Sequence, residues 1–434
     1  MRIGVLGGGA RGLTAAYRLA QGGHDVVVIE RGDRIGGLAM SFEVGGSHLE
    51  KFYHHIFKTD RVIVDLIDEL GLGADLYWGR PRTANLWHGE RLALDSVPAV
   101  LSYKPLPFID RLRLGAGVAL LKVTSNYRVF ARSTAAEWTR RWMGKRAYAV
   151  VFEPLLRAKF GGNYQRIAMP WLWSRFHERT MSLGYLRGGF HRLYARLGER
   201  IVELGGEIAL NREVVRIGGL PDGRVRVLAR ATGSGEEPAE EVFDSVISTM
   251  PTRLFLKLAE GLPAEYRARY DWGEHYGAHC LVLALDRQLM TDNTYWLSVT
   301  EPGYPFLAVV EHTNYLPPSD YAGLHLVYLG NYLPMTDPLY KRSKEEVLEG
   351  YLPYLRQINP EFDLRWVRSS YAFQAPFAQP IVTLDYAEHV PPLETPIPNL
   401  YLANMFQVYP QDRGQNYSMK LANEVARLAA KRGE

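Results

Sequence analysis

The chain has 434 residues, 47% apolar and 23% charged, a composition ordinary for a globular protein and a length that favours two domains. No stretch approaches the ~20 uninterrupted apolar residues of a membrane span, and a single cysteine, Cys280, excludes an internal disulfide. The net charge of +4 conceals a surplus of 14 positive charges in residues 101–200, which reads either as a field for an anionic partner or as solvated helix faces.

The chain enters an apolar strand at once, Ile3 to Gly7, with no separate export signal ahead of it. A helix over Ala10 to Gln21 and a second buried strand over Val26 to Glu30 complete the opening of a parallel α/β sheet. Further on, Asn85-Leu86-Trp87 and Arg91-Leu92-Ala93-Leu94 flank a His88-Gly89-Glu90 turn, predicting a hairpin. Residues 96–200 read as mostly helical, broken at Gly161-Gly162 and Gly188-Gly189. β-Branched runs return at Val214 to Ile217, Val225 to Leu228 and Val242 to Ser248, with a surface loop at Gly233 to Pro238. Four more strands, Leu281 to Leu285, Tyr295 to Val299, Phe306 to Val310 and Leu324 to Leu329, predict an antiparallel sheet with one face covered. The chain closes with a strand at Leu400 to Ala403 and a helix from about Asn416, striped by Met419, Ala422, Val425, Ala426 and Ala429. Cys280, inside the apolar run to Leu285, reads as a buried structural thiol, and one thiol fits a reducing cytoplasm.

The chemistry gathers at the two ends. Gly7-Gly8-Gly9-Ala10-Arg11-Gly12 fits G-x-G-x-x-G between a strand and a helix, and Glu30 ends the second strand 18 residues later. Gly7 allows the tight turn, Gly9 admits a pyrophosphate to the backbone, and Gly12 lets helix and strand pack. The helix N-terminus attracts the phosphates while Glu30 accepts from an adenosine ribose. Glu30-Arg31-Gly32-Asp33-Arg34-Ile35-Gly36-Gly37 then sets arginines and a bare Gly36-Gly37 backbone beyond the ribose, suited to phosphate pairing and to a large planar ligand.

That segment, E-x-x-x-R-x-G-G, resembles the flavin-containing amine oxidase superfamily. Phe152-Glu153-Pro154-Leu155-Leu156, Lys159-Phe160-Gly161, Gly184 to Phe190 and Val246 to Pro251 resemble its protoporphyrinogen oxidase and phytoene desaturase branch. The resemblance implies a Rossmann-like FAD-binding domain (1–80, 190–260 and 385–434) interleaved with a substrate domain of antiparallel sheet plus helices (81–189 and 261–384), α+β overall. It implies non-covalent FAD, contacted also by Val214, Asn404, Arg413, Gly414, Gln415 and Asn416. Asn404 stands where the family's last strand usually continues into Gly-Asp or Gly-Glu. The backbone of Asp412 to Asn416 would face the flavin's pyrimidine edge, where a helix N-terminus favours negative charge.

Candidates for acting on a substrate are His54 and His55, of which adjacency in a regular strand would let only one face the site. Tyr409, beside Asp412 and Arg413, is the third. Arg157, Lys159, Arg175 and Arg179, near Trp171 and Trp173, suit an anionic head group on an apolar body or an anionic lipid surface. No metal-ligand spacing appears, and no lysine aligns with the one that related amine oxidases place near the flavin. The expected activity is an FAD-dependent dehydrogenase, oxidase or desaturase acting on an apolar, lipid-linked or anionic small molecule, without nucleic acid. The expected location is cytoplasmic, with peripheral attachment to the inner membrane face as a variant. His55 to Asp60 is similar to a segment of UDP-galactopyranose mutases, which sets a second reading: a flavoenzyme without net redox change on a nucleotide sugar. A non-catalytic FAD-binding partner is the third.

Overall fold

A computed structural model describes residues 1–431. Its first layer is a five-stranded parallel sheet in the order Glu207–Ala209, Asp25–Ile29, Arg2–Leu6, Ser245–Ser248, Leu400–Leu402. These strands come from segments nearly 400 residues apart, and the three central ones are almost wholly buried because both faces are covered, whereas the edge strand Glu207–Ala209 is partly exposed. One face carries the helix Ala10–Gln21, packed against the C-terminal helix Gln415–Ala430 and the helix His191–Glu203. The other face carries an antiparallel three-stranded sheet, Arg212–Gly219, Val225–Ala231 and Ala239–Phe243, whose last two strands are joined by the predicted surface loop.

The second large sheet has seven strands, ordered Val367–Pro380, His275–Leu285, His325–Leu333, Ala308–Glu311, Thr294–Ser298, Arg82–Trp87, Glu90–Ala93. It is not wholly antiparallel as the sequence suggests: Thr294–Ser298 runs parallel to Arg82–Trp87, because the chain returns to that edge after 200 residues rather than by a hairpin. The hairpin between Arg82–Trp87 and Glu90–Ala93 forms with His88 and Gly89 both at positive φ, the two-residue turn that matches strand twist.

Between these sheets and to one side lies a helical lobe: Val97–Leu101, Phe108–Val123, Ala135–Trp142, Glu153–Phe160 and Met169–His177. Its own core is aromatic, with Phe130, Trp138, Phe160, Trp171 and Trp173 among the buried members. A small sheet ties the lobes together, since Leu183–Leu186 pairs with both Ile56–Phe57 and Leu76–Gly79. Among the described residues no helix is long and apolar enough to cross a membrane.

Candidate functional site

A single cavity of about 1470 Å³ runs from the parallel sheet, between the lobes, into the helical lobe. Its first end is built by the glycine loop. Gly7 sits at φ +111, and a Cβ on Gly12 would fall 1.8 Å from the Gly7 carbonyl oxygen, so helix and loop touch only because Gly12 has no side chain. Gly9 differs: a Cβ there meets only the Gly37 Cα at 3.8 Å and otherwise points into the cavity. The Gly8 and Gly32 amides donate to the two Glu30 carboxylate oxygens at 2.6 and 2.7 Å, which fixes the carboxylate at the cavity wall. The Gly36 amide donates to the Gly8 carbonyl at 2.8 Å, so the Gly36-Gly37 doublet docks directly on the loop. Arg31 and Arg34 are exposed on the rim, and Val214 lines the wall near Glu30 because Asn211 and Arg212 bond to Gly32 and Glu30.

The helices Ala10–Gln21 and Gln415–Ala430 both begin at uncapped glycines, Gly9 and Gly414, so their first amide groups face the cavity without side-chain partners. Arg11 is buried there. Burial holds its pKa down to about 9, one guanidinium nitrogen donates to Ser418 at 3.3 Å, and its Nε has no protein partner. Gln415 receives the Tyr194 hydroxyl on its oxygen while its Nε2 is also unpartnered, and Asn416 accepts from the Ile63 amide. Buried donors in such positions require acceptors from a ligand or water.

Asn404 lies at the wall with its carboxamide already used. Its Nδ2 donates to Met250 and Thr252, and its Oδ1 accepts from Phe406. Both of its amide donors are therefore bound to protein, and one oxygen lone pair remains for a cofactor.

At the far end, Asp412 gathers cations from three elements. Arg175, Lys159 and Arg179 reach its Oδ2 at 2.7, 3.1 and 3.3 Å, and Trp171 donates to Oδ1 at 3.2 Å. Burial would raise the Asp412 pKa, but Lys159, Arg175, Arg179 and Arg413 together hold it far below the usual carboxylate range. Burial pushes the Lys159 ammonium down and Arg179 to about 9, each further lowered by neighbouring guanidinium groups. Four basic side chains thus surround one carboxylate on the cavity wall, an excess of positive charge in a place of low dielectric. Arg413 lies 5.0 Å above the Tyr332 ring, with its Nε unpartnered.

His54 and His55 both line the cavity, against the expectation of one, because residues 53–55 lie outside any strand and do not alternate. The His54 Nδ1 meets the Phe52 carbonyl at 2.6 Å, which places its proton there. Burial lowers the pKa to about 4 at His54 and about 3 at His55, with nearby arginines contributing, so both rings are neutral near pH 7.

Two other expectations are corrected. Tyr409 is not in the cavity: its ring packs between Tyr386 and Tyr127 in the helical lobe's core. Arg157 faces outward, paired with Glu153 at 2.8 Å and Tyr164, because on a helix it lies about 200° from Lys159. Tyr53, Trp296 and Tyr332, which carry no sequence signal of their own, complete the wall. Among the described residues no cluster could hold a metal.

The sequence pattern of flavin containing amine oxidoreductases matches residues 12–410. The chain belongs to that family. A 15-cis-phytoene desaturase from Synechococcus elongatus is 24% identical over 388 residues, 83% of this chain and 80% of that one. A putative protoporphyrinogen oxidase from Exiguobacterium sp. 255-15 superposes with a TM-score of 0.76 at 19% identity, covering 99% of each chain. A reduced UDP-galactopyranose mutase does so at 0.77 and 16%, over all of this chain and 96% of that one. Against several curated relatives the chain spans only about a quarter of their length. The family is one of flavin-containing oxidoreductases, and the residues of this chain fit FAD. The two uncapped helix ends, the unpartnered Arg11 and Gln415 donors, the fixed Glu30 carboxylate and the open space over Gly9 supply what a dinucleotide requires. Cys280 is buried in a strand with its sulfur against the Leu281 carbonyl, and burial pushes its thiol pKa up, which keeps it protonated.

Proposed function

We propose that the protein oxidises an apolar small molecule bearing an anionic group. The observation that carries this reading is the excess of positive charge around Asp412, in the wall of the same cavity that holds the glycine loop. FAD, when bound, supplies the acceptor for a hydride. The chain's residues have the remaining tasks. Lys159, Arg175, Arg179 and Arg413 would bind a carboxylate or phosphate, partly displacing Asp412 as their partner. Leu155, Leu156, Leu172 and Phe176 would enclose the apolar body and keep out water. His54 and His55, neutral at physiological pH, would orient polar atoms without competing for the anion.

The test is anaerobic mixing of holoenzyme with terpenoid or tetrapyrrole acids and with their methyl esters. Bleaching of the flavin by the acids, and weak or no bleaching by the esters, is the expected result. Arg175→Ala should raise KM for the acid by about tenfold or more, as lost charge pairing predicts. Equal bleaching by acids and esters counts against the anionic group. A diphosphate would suit the same cations, which favours a nucleotide sugar as the second reading. That reading gains if turnover requires prior reduction and yields an isomer of the substrate.

A further inference from the structure

We infer that the helical lobe docks on an anionic lipid surface through the helix Phe108–Val123 and the short helix Val97–Leu101. The helix Phe108–Val123 is built with an apolar face toward solvent. Ile109, Leu112, Ala116, Ala119, Leu120 and Val123 recur at spacings of three and four and are all exposed. Leu114, Gly117 and Leu121 on the opposite side are its buried contacts. The stripe is not scattered surface hydrophobicity. Of the sixteen large apolar side chains exposed among the described residues, nine fall between Val97 and Trp142, with Ile109 at 76% and Val123 at 77%.

Charge decides between a bilayer and a second copy of the chain. Residues 97–146 hold ten Lys and Arg against two carboxylates, so two copies meeting on this face would bring like charges together. An anionic membrane would instead attract them while accepting the apolar stripe at the depth of its acyl boundary. Exposed Lys104, Arg113, Lys122, Arg128 and Arg132 lie on or beside the two helices. The same elements also form the cavity wall: Val100, Leu114 and Val118 line it from within. A molecule dissolved in the bilayer would therefore meet the cavity at the surface that is docked.

Co-sedimentation of the holoprotein at low salt tests this with vesicles of phosphatidylcholine alone and of phosphatidylcholine with phosphatidylglycerol. The readout needs no turnover, so its failure is separate from failure of the proposed oxidation. Binding should be several-fold greater on the anionic vesicles and should weaken as salt is raised. The double variant Ile109→Glu/Val123→Glu changes only exposed side chains. It should keep its flavin spectrum and melting temperature while losing about tenfold or more in vesicle binding. Equal sedimentation with both vesicles, or unchanged binding of the double variant, would overturn the inference. So would a dimer that the double variant dissolves in the absence of any vesicle binding.

Discussion

Gly9 and Gly12 occupy the same motif but do different things. Gly12→Ala drives a methyl into the Gly7 carbonyl, so the expected result is poor folding whether or not FAD is supplied. Gly9→Val has room within the protein, so it should fold and melt near the parent's temperature yet retain little FAD, measured by absorbance after gel filtration. Glu30→Ala removes the acceptor for two loop amides as well as for a ribose, charged hydrogen bonds worth roughly 1.5–3 kcal/mol each. Occupancy should fall and be partly restored by excess cofactor; full retention in all three variants would contradict the site. The paired histidines give a pH signature. Each is held neutral by the fold, to about 4 at His54 and about 3 at His55, while the unfolded chain protonates near 6.5. Their contribution to stability is complete above 6.5 and is lost as pH falls toward 4 and then 3. His54→Asn with His55→Phe keeps the donor to Phe52 and the aromatic packing, so its melting temperature should drop less than the parent's between pH 6.5 and 4. At this scale the glycine motif and Glu30 were legible because backbone geometry leaves few alternatives. Tyr409 was not: closeness in sequence to Asp412 says nothing about which way a ring turns, and this one turns into the aromatic core.

Helix ends and helix faces do the organising one level up. The C-terminal helix was readable from its apolar stripe as starting at about Asn416, one residue from its start at Gln415. The cation cluster was readable in part, since Lys159 and Arg175 lie in the basic block, but helical angle separates Arg157 from Lys159 and could have excluded it. What no periodicity reveals is that Asp412, from the far end of the chain, lies among them. Asp412→Asn leaves buried cations without their carboxylate, which costs about 3–5 kcal/mol by analogy with broken buried pairs. The melting temperature should fall by several degrees, and added sulfate or phosphate should recover part of the loss. No recovery with either anion would argue that the cations are structural only.

Across the whole molecule, the cofactor joins parts that the chain supplies far apart, so its binding and the fold's stability are linked. Acid precipitation should release FAD into the supernatant, because the only cysteine is a buried strand residue whose thiol burial keeps protonated and unreactive. Flavin left in the pellet would show otherwise. Restoring FAD to about 100 times its Kd should stabilise the protein by about 2.7 kcal/mol, read as a rise in melting temperature over the apoprotein. The parallel-sheet opening and the later strand block were visible in the sequence. The parallel pairing of Thr294–Ser298 with Arg82–Trp87 was not, because it depends on which edge the returning chain finds vacant.

The packing of the helix Ala10–Gln21 against the helix Gln415–Ala430 has a consequence for how the protein is made. Arg11 meets Ser418, and Arg18 meets Asn423, so the nucleotide cradle formed by the first residues lacks one wall until the last helix is synthesised. At about 5–20 residues per second, a ribosome needs roughly 20–80 s to pass from one helix to the other. Through that interval the glycine loop is exposed beside a sheet missing its final strand, Leu400–Leu402. Cofactor capture is therefore a late event in biogenesis, and supply of FAD during expression should govern yield more than supply during purification.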